Sequence, residues 1–301
     1  MSLHRPDWRA AGVALAAALC ACGGGGSDAT PVAPVDLGPP TWSKEFANGN
    51  GVTPISSGNG SVTFGAAGGA DDGNAASLLF PGDSSKGPNA RAGTGYASEI
   101  DSVKGDFHYG EYRARLRLAT CAPTEELVNG YFTYFHDGND YNGNGIADNS
   151  EIDIEIQCGR PYAIFLTSWT DYDSETSFRK WTRVIDTSTG DIWESVADDQ
   201  FDIHKIGNDP AFLIPGFPDA NTFYEMGFDW EPDHIRWFLV NGGQEITLWN
   251  FTNAQLVPNL PATLIFNLWH ANSHWFAGGS AADYPAADGT LTVDWARYWQ
   301  Q

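Results

Sequence analysis

The sequence predicts an all-β fold, an antiparallel β-sandwich of the jelly-roll type. Short segments rich in β-branched and aromatic residues follow one another, and each is bounded by Gly, Pro, Asn or Asp. Gly (34 residues) and Pro (17 residues) are frequent among the 301 residues, as is usual where turns join many short strands. After residue 30 no long run of helix-forming residues occurs. Together these observations favour two packed sheets over a helical or mixed fold.

The N-terminal segment has the pattern of a secretion signal, and we exclude residues 1–21 from the fold. Arg5 and Arg9 flank the start of the apolar run Ala10–Leu19, which is shorter than the roughly 20 residues of a membrane-spanning helix. The sequence LCAC that ends at Cys22 resembles the cleavage box of bacterial lipoproteins. We therefore expect cleavage before Cys22 and a lipid on its thiol, with ordinary secretion and cleavage elsewhere as the alternative.

Residues 22–40 are rich in Gly, Ser, Pro and Ala and predict a flexible linker. No second linker and no repeat of fixed period follows, so we expect residues 41–301 to form one domain, a monomer. Such a lipoprotein would lie at the outer membrane or the cell surface, with the periplasm as the alternative. Its contact with the membrane would be made by the lipid anchor alone.

The net charge of −22 argues against binding of nucleic acid, because phosphates require clustered Lys and Arg. A neutral polysaccharide would not be repelled by this charge. Removal of the signal leaves Cys121 and Cys158 within the domain. In an oxidising compartment an isolated pair more often forms a disulfide than a metal site, so we expect a disulfide. Two separate buried thiols are the alternative.

Strand patterns follow one another along the domain. In Gly110–Thr120 apolar residues from Tyr112 onwards alternate with Glu and Arg. The later strand segments are GYFTYF (130–135), EIDIEI (151–156), YAIFLTSWT (162–170), TFYEMGFDW (222–230), HIRWFLVNGG (234–243), ATLIFNLWH (262–270) and TLTVDWARYW (290–299). Asn241-Gly242 predicts a hairpin tip. A weak helical pattern is confined to NAQLV (253–257).

Three acids share one face of the strand EIDIEI. Glu151, Asp153 and Glu155 project from the same side because residues two apart do so in a strand. The isoleucines between them form a core face, so the acids must face solvent or a wet cleft. Neighbouring carboxylates oppose each other's ionisation, which should raise the pKa of at least one. Glycoside hydrolysis needs two carboxyl groups in different protonation states, whereas a merely solvated acidic face is the alternative.

The spacing of the outer two acids does not by itself select a mechanism. Four strand residues separate the Cα atoms of Glu151 and Glu155 by about 13 Å. Retaining enzymes hold their two carboxyls about 5–5.5 Å apart, and inverting enzymes about 6.5–9.5 Å. Side chains that lean together over Asp153 would reach the shorter range, but both outcomes remain open at this point.

Six segments resemble glycoside hydrolase family 16, the lichenase and laminarinase family. SEIDIEI (150–156) resembles its E-[IL]-D-x-E signature. The others occur in the family's order over most of residues 96–300: ASEIDS…FHYGEYRARLRLA (97–119), GYFTYF, FYEMGFDWEPDHIRWFLVNGG (223–243), LIFNLWHANSHWFAG (264–278) and LTVDWARYWQ (291–300). The resemblance implies a jelly roll with an open substrate cleft on its concave face.

The same resemblance implies a retaining mechanism and a set of roles. Glu151 would be the nucleophile, Asp153 a helper acid that hydrogen-bonds it, and Glu155 the general acid/base, with no cofactor required for catalysis. The implied substrate-binding residues are Glu99, Phe132, Tyr134, Trp169, Asn267 and Trp269, and Trp275 is a further candidate at the rim. For each aromatic residue the alternative is the ordinary core of the sandwich.

Three departures from the family pattern leave the substrate open. Asp101 stands where lichenases have a substrate-binding Arg, Thr167 stands where Asn is common, and residues 171–222 exceed the family minimum. We expect a retaining endo-acting hydrolase that cleaves β-1,3-1,4- or β-1,3-glucan. A galactan hydrolase of the agarase or carrageenase type, or a transglycosylase, is the alternative within the family. A lectin-like carbohydrate-binding protein is the alternative outside it, although such lectins usually lack the catalytic acids.

The loop before the acidic strand matches a calcium-binding pattern. The motif D-x-[DN]-x-[DN]-G-x₅-E is complete from Asp140 to Glu151, but strands rather than helices flank it. Glu151 cannot be both a bidentate ligand and a nucleophile. We therefore keep Glu151 catalytic and assign a structural calcium ion to Asp140, Asn142, Asn144 and Asp148. The alternative is a turn-rich hairpin loop. Independently, Asp294 matches a strand position at which some family members bind structural calcium.

Overall fold

The alternating segments form β-strands in the computed structural model, which describes residues 32–86, 96–159, 162–271, 273–275 and 281–301. The secretion signal and Cys22 lie outside these described residues. Seventeen strands lie within them: β1 (Trp42–Lys44), β2 (Val52–Ser56), β3 (Ser61–Ala66), β4 (Asn74–Phe80), β5 (Tyr96–Ser102), β6 (Gly110–Arg117), β7 (Val128–Tyr134), β8 (Asp148–Gln157), β9 (Ala163–Ser174), β10 (Ser177–Asp186), β11 (Asp191–Ser195), β12 (Ile203–Asn208), β13 (Tyr224–Trp230), β14 (Ile235–Asn241), β15 (Gln244–Phe251), β16 (Thr263–Trp269) and β17 (Gly289–Gln300).

The strands form two antiparallel sheets that pack face to face. One sheet has nine strands in the order β12-β11-β10-β9-β8-β7-β16-β5-β2. The other has eight, in the order β15-β14-β13-β6-β17-β4-β3, with β1 also paired to β17. Many neighbours in each sheet are distant in sequence, as in a jelly roll. The predicted all-β sandwich is therefore confirmed.

The core between the sheets is built from the apolar face of each strand. On β8 the three isoleucines Ile152, Ile154 and Ile156 are buried, as the alternation predicts. Across the interface, Trp237 of β14 is buried and donates its indole N–H to the backbone carbonyl of Asp153, at 3.1 Å. The acidic strand is thus tied to the opposite sheet by both packing and a hydrogen bond.

The charged face of β6 is covered by ion pairs. Arg113 lies on this face, opposite the buried apolar residues of the strand, and contacts Glu111, Glu225 and Glu245. The guanidinium is itself buried together with Glu111 and Glu245. A network of charges therefore covers the outer face of the eight-stranded sheet around Arg113.

Turns and covalent links follow the sequence pattern. Gly242 and Gly243, with φ of 60° and 76°, join β14 to β15 at the predicted hairpin tip. Two short 3₁₀ helices occur in the described ranges, Pro210–Phe212 and Ala254–Leu256, and the second falls on the weak helical pattern. The predicted disulfide between Cys121 and Cys158 is confirmed, with a Cα–Cα distance of 5.5 Å.

The end of the predicted linker lies against the eight-stranded sheet. Val32 forms an isolated antiparallel bridge with Glu245, and the carbonyl of Gly38 accepts the indole N–H of Trp299 at 2.9 Å. In the described part of the chain, no helix has the length and apolar character needed to cross a membrane.

Candidate active site

The three predicted acids lie on the outer face of the nine-stranded sheet, which we call the cleft face. Glu151 is paired in register with Trp169, Asp153 with Thr167, and Glu155 with Phe165 of β9. An irregularity in the pairing between Asp148 and Glu151 shifts the register where β8 begins. The acidic alternation resumes after this bulge, so Glu151 belongs to the strand and not to the preceding loop.

Directed hydrogen bonds hold two of the acids. Asn149 donates its side-chain N–H to Glu151 Oε2 at 2.7 Å, and Trp169 donates its indole N–H to Asp153 Oδ2 at 3.1 Å. The interaction between the Asp153 and Glu151 side chains favours the charged form of Glu151 and raises the pKa of Asp153. Asp153 thus lies in contact with Glu151, where the sequence resemblance places a helper acid.

The environment raises the pKa of all three carboxyl groups. Burial raises the pKa of Glu151 to about 7, against hydrogen bonds from Asn149 and Asp153 that favour its charged form. Burial and the charge of Glu151 raise the pKa of Glu155 to about 8. Burial and the charges of both glutamates raise the pKa of Asp153 well above its usual range.

A lysine that the sequence analysis did not select lies beside the acids. Lys180 of β10 is paired in register with Trp169, and its ammonium is 4.6 Å from the ring centroid of Trp169 and 4.3 Å from that of Phe201. Burial lowers its pKa to about 8, while the charges of Asp153, Glu155 and Glu151 act in the opposite direction. Lys180 is therefore a partly desolvated cation that favours ionisation of the neighbouring carboxyls.

An aromatic-lined cavity of about 440 Å³ opens beside Glu155. Its walls are formed by Glu155, Phe165, Thr167, Trp169, Lys180, Thr182, Phe201, Ile203, Ser273 and Trp275. Trp275 packs edge-on against Phe165 and also contacts Trp269, with centroid distances of 5.3 Å in both cases. A pocket with flat apolar walls and few polar groups suits the faces and hydroxyls of a sugar.

A row of polar residues crosses the cleft face on the other side of β8. Glu99 faces Asn267, Asn267 faces Gly130, and Gly130 faces Glu155 in successive strand pairs. Asn267 donates to Glu99 Oε2 at 3.3 Å, whereas its buried Oδ1 accepts no hydrogen bond from the described residues. Burial, and then the charge of Asp101, raise the pKa of Glu99. The row therefore places the amide of Asn267 and the carboxyl of Glu99 on the same face as Glu155.

The structure brings most of the predicted substrate-binding residues to this face. Phe132 is paired in register with Asp153, and Tyr134, which is 39% exposed, lies two residues further along the same strand. Trp169 contacts the acids directly through Asp153, while Trp269 and Trp275 form an aromatic pair at the far end of the cavity. The sequence analysis missed Lys180, Phe165, Phe201 and Asn149.

The two predicted calcium positions differ in their surroundings. Asp140, Asn142, Asn144 and Asp148 converge through hydrogen bonds within their loop. Asp294, by contrast, is buried against Arg115 and also accepts the backbone N–H of Asp71 through both oxygens. The oxygens of Asp294 thus accept hydrogen bonds from Arg115 and Asp71, and calcium at this position stays a prediction.

Comparisons with known proteins find partial sequence similarity to proteins named β-glucanase. No family model matches the chain. A β-glucanase of Bacillus subtilis (strain 168) is 29% identical over 94 residues, which are 31% of this chain and 35% of that protein. A β-glucanase of Bacillus licheniformis is 31% identical over 65 residues, which are 22% of this chain and 24% of that protein. The chain thus matches about a third or less of the length of these relatives.

One solved structure extends the likeness to the whole sandwich. A glycoside hydrolase family 16 endo-glucanase from Bacteroides ovatus, in complex with G4G3G-2F-DNP, has a TM-score of 0.50 and 14% sequence identity. The match covers 85% of this chain and 99% of that one. At this identity the likeness concerns the fold, and it agrees with the jelly roll predicted from the sequence.

Proposed function

We propose that the chain is a retaining, endo-acting glycoside hydrolase that cleaves β-1,3-1,4- or β-1,3-glucan by double displacement. The observation that carries this proposal is the placement of Glu151 and Glu155 on one strand face, beside the aromatic cavity, with pKa values of about 7 and about 8. Two carboxyls with different proton affinities are what the reaction requires. The partial similarity to proteins named β-glucanase supports the choice of substrate.

The roles are those that the sequence resemblance implies, and the higher pKa of Glu155, about 8 against about 7 for Glu151, agrees with them. Glu155, the more basic group, donates its proton to the glycosidic oxygen of the leaving sugar while the carboxylate of Glu151 attacks the anomeric carbon. This forms a covalent glycosyl-enzyme and releases one chain end. Glu155, now ionised, then takes a proton from the water that attacks the same carbon, which frees Glu151 and restores the acid. Asp153 hydrogen-bonds Glu151 throughout and holds its orientation.

The cleft also supplies contacts for a neutral sugar chain. Trp169, Trp269 and Trp275 provide flat apolar surfaces, and Asn267 and Glu99 provide hydrogen-bonding groups for hydroxyls. The three acids and the net charge of −22 disfavour sulfated or carboxylated chains. We therefore propose an uncharged glucan rather than carrageenan as the substrate.

The test is a substrate panel with matched variants. We expect the purified protein to release reducing sugar from barley β-glucan or laminarin, and NMR to show the β-anomer as the first product. Glu151→Gln and Glu155→Gln should each lower kcat by about 10²–10⁴-fold, as for loss of an essential acid or base. Glu175→Gln, on an exposed turn, is the control and should retain activity.

Three results would contradict the proposal. These are full activity in either active-site variant, an inverted product, or release from agarose or carrageenan alone. Altered chain lengths without new reducing ends would instead indicate transglycosylation.

We also propose that the domain is held at the outer membrane or cell surface by a lipid on Cys22, on the strength of the N-terminal sequence pattern. Mass spectrometry of the N-terminal peptide from the membrane fraction would detect the acyl chains. A soluble product without acylation, or a Cys22→Ser variant that remains in the membrane fraction, would contradict the anchor.

A further inference from the structure

We propose that the loop Asp140–Asp148, closed by Asp171 of β9, binds one Ca²⁺ ion next to the candidate active site. This site does not depend on the proposed hydrolase activity. It differs from the arrangement that the sequence motif suggests, because Glu151 is not one of its ligands. The inference rests on the loop contacts, on the position of Asp171, and on an unsatisfied oxygen of Asn149.

The first part of the loop is wound around the side chain of Asp140. Its carboxylate accepts the backbone N–H groups of Gly143 at 2.6 Å, Asn144 at 3.2 Å and Gly145 at 2.8 Å. Gly143 and Gly145 have φ of 77° and 93°, a conformation that favours glycine. Asn142 Oδ1 in turn accepts the N–H of Asn144 at 2.9 Å. These oxygens keep further lone pairs, since an ionised carboxylate has about four and an amide carbonyl two.

Asp171 takes the place that the motif assigns to Glu151. The bulge at the start of β8 places Glu151 on the cleft face, where Asn149 and Asp153 hold it. Asp171 is instead paired in register with Asp148. Its Oδ1 accepts the side-chain amides of Asn142 at 3.1 Å and Asn144 at 2.6 Å, and the same Asn142 amide lies 2.8 Å from Asp148 Oδ1. Asp148 is 4% and Asp171 1% exposed, so two carboxylates are buried side by side.

A separate observation points to a ligand between these groups. Asn149 is 4% exposed, and its buried Oδ1 has no hydrogen-bond partner in the described part of the chain. Its Nδ2 is directed to Glu151, which leaves Oδ1 on the opposite side of the amide. Asn149 lines a cavity of about 420 Å³ together with Asn142, Asn144, Asp148 and Asp171. A buried carbonyl oxygen without a partner is costly unless a cation or water satisfies it.

The donor set selects the kind of ion. Each candidate ligand is an oxygen atom, and carboxylate, amide and backbone oxygens suit hard cations rather than Zn²⁺ or Cu²⁺. Asp148 and Asp171 contribute two negative charges at the cavity, Asn142, Asn144 and Asn149 add neutral oxygens, and Arg179, which also lines the cavity, is paired with Asp198. This number of donors fits the six to eight ligands of Ca²⁺ better than the small octahedral shell of Mg²⁺.

The site touches the proposed nucleophile through one residue. An ion at this position would fix Asn149 by its Oδ1, and the Nδ2 of the same amide orients Glu151. Bound Ca²⁺ would therefore stabilise the start of β8 and the orientation of the Glu151 carboxyl together.

The test measures metal binding directly on the full mature chain. After treatment with EGTA and dialysis, we expect calorimetric titration with CaCl₂ to show one equivalent bound, elemental analysis to agree, and the melting temperature to rise with Ca²⁺ more than with equal Mg²⁺. Asp171→Asn and Asp148→Asn should each weaken Ca²⁺ binding at least tenfold. Asp233→Asn, an exposed acid between β13 and β14 that contacts only His234, is the control for loss of one charge and should bind as the unaltered chain does.

The variant Glu151→Gln distinguishes the proposed calcium site from the active site. It also distinguishes this site from a calcium loop in which Glu151 is the last ligand. It should lose hydrolysis but keep full Ca²⁺ binding, so that failure of one proposal leaves the other intact. Absence of bound calcium and of any thermal shift in the unaltered chain would overturn the site. So would loss of binding in Glu151→Gln with retention in Asp171→Asn.

Discussion

Replacement of Glu155 by glutamine should stabilise the protein at alkaline pH while it abolishes activity. Burial and the charge of Glu151 raise the pKa of Glu155 from 4.5 to about 8. The folded state therefore keeps a proton that the unfolded chain releases above about pH 4.5. The stability contributed by this proton is complete below that pH and is lost as the pH rises through about 8.

The size of the effect follows from this shift. A change from 4.5 to about 8 is about 3.5 units, and each unit corresponds to roughly 1.4 kcal/mol, so ionisation costs at most about 5 kcal/mol. Glu155 shares its titration with Glu151 and is only partly buried, which reduces the measurable difference. We expect Glu155→Gln to raise the free energy of unfolding by about 2 kcal/mol at pH 8 and by nearly nothing at pH 5.

Urea unfolding at pH 5, 6, 7 and 8, followed by fluorescence of the buried tryptophans, measures this difference directly. Glu175→Gln, the exposed control, should show no pH-dependent gain. The reasoning would be refuted by a gain that is equal at pH 5 and pH 8, or by a glutamine variant less stable than the unaltered protein at pH 8. Either result would mean that the fold does not hold Glu155 in its protonated form.

Three further outcomes follow from the structure. Lys180→Met removes a cation that favours the ionised acids, so both limbs of the pH–rate profile should move to higher pH; an unchanged profile would exclude this electrostatic role. Gly130→Ala places a Cβ 2.2 Å from Asn267 Oδ1, so Asn267 must move and KM should rise about tenfold; steady-state kinetics with unchanged KM would contradict its place in substrate binding. Cys121→Ser with Cys158→Ser opens a disulfide spanning 37 residues and should cost roughly 4 kcal/mol in denaturant unfolding; a loss below about 1 kcal/mol would contradict that value.

The strands were predictable where apolar and polar residues alternate regularly within a short segment. The strands β6 to β9, β13, β14, β16 and β17 were recognised, whereas β1 to β5 and β15 were not, and the two faces of β8 followed from its period of two residues. The disulfide followed from the number of cysteines and the expected compartment. The strands β10, β11 and β12 were not identified, because Arg, Lys, Thr and Asp interrupt their apolar pattern.

The parts of the site that were missed depend on pairing between distant segments. Lys180 reaches the acids because β10 is paired with β9 and β9 with β8, and nothing in its local sequence indicates this. Asp171 meets the loop for the same reason, at the end of a different strand. In the sequence, Glu151 fits both the calcium motif and the strand with the three acids. A bulge at the start of β8 places it in the strand, and the sequence periodicity does not reveal this bulge.

The hydrogen bond from Trp237 to the carbonyl of Asp153 has a consequence for how the molecule fails under heat. The strand with the three acids is anchored near its midpoint by a side chain from the opposite sheet, so separation of the two sheets should also displace the acids. Thermal inactivation and loss of tertiary structure should consequently share one midpoint, without an inactive species that is still folded. The rate of thermal inactivation should then depend on the hydrophobic core between the two sheets, which lies away from the sugar-binding face.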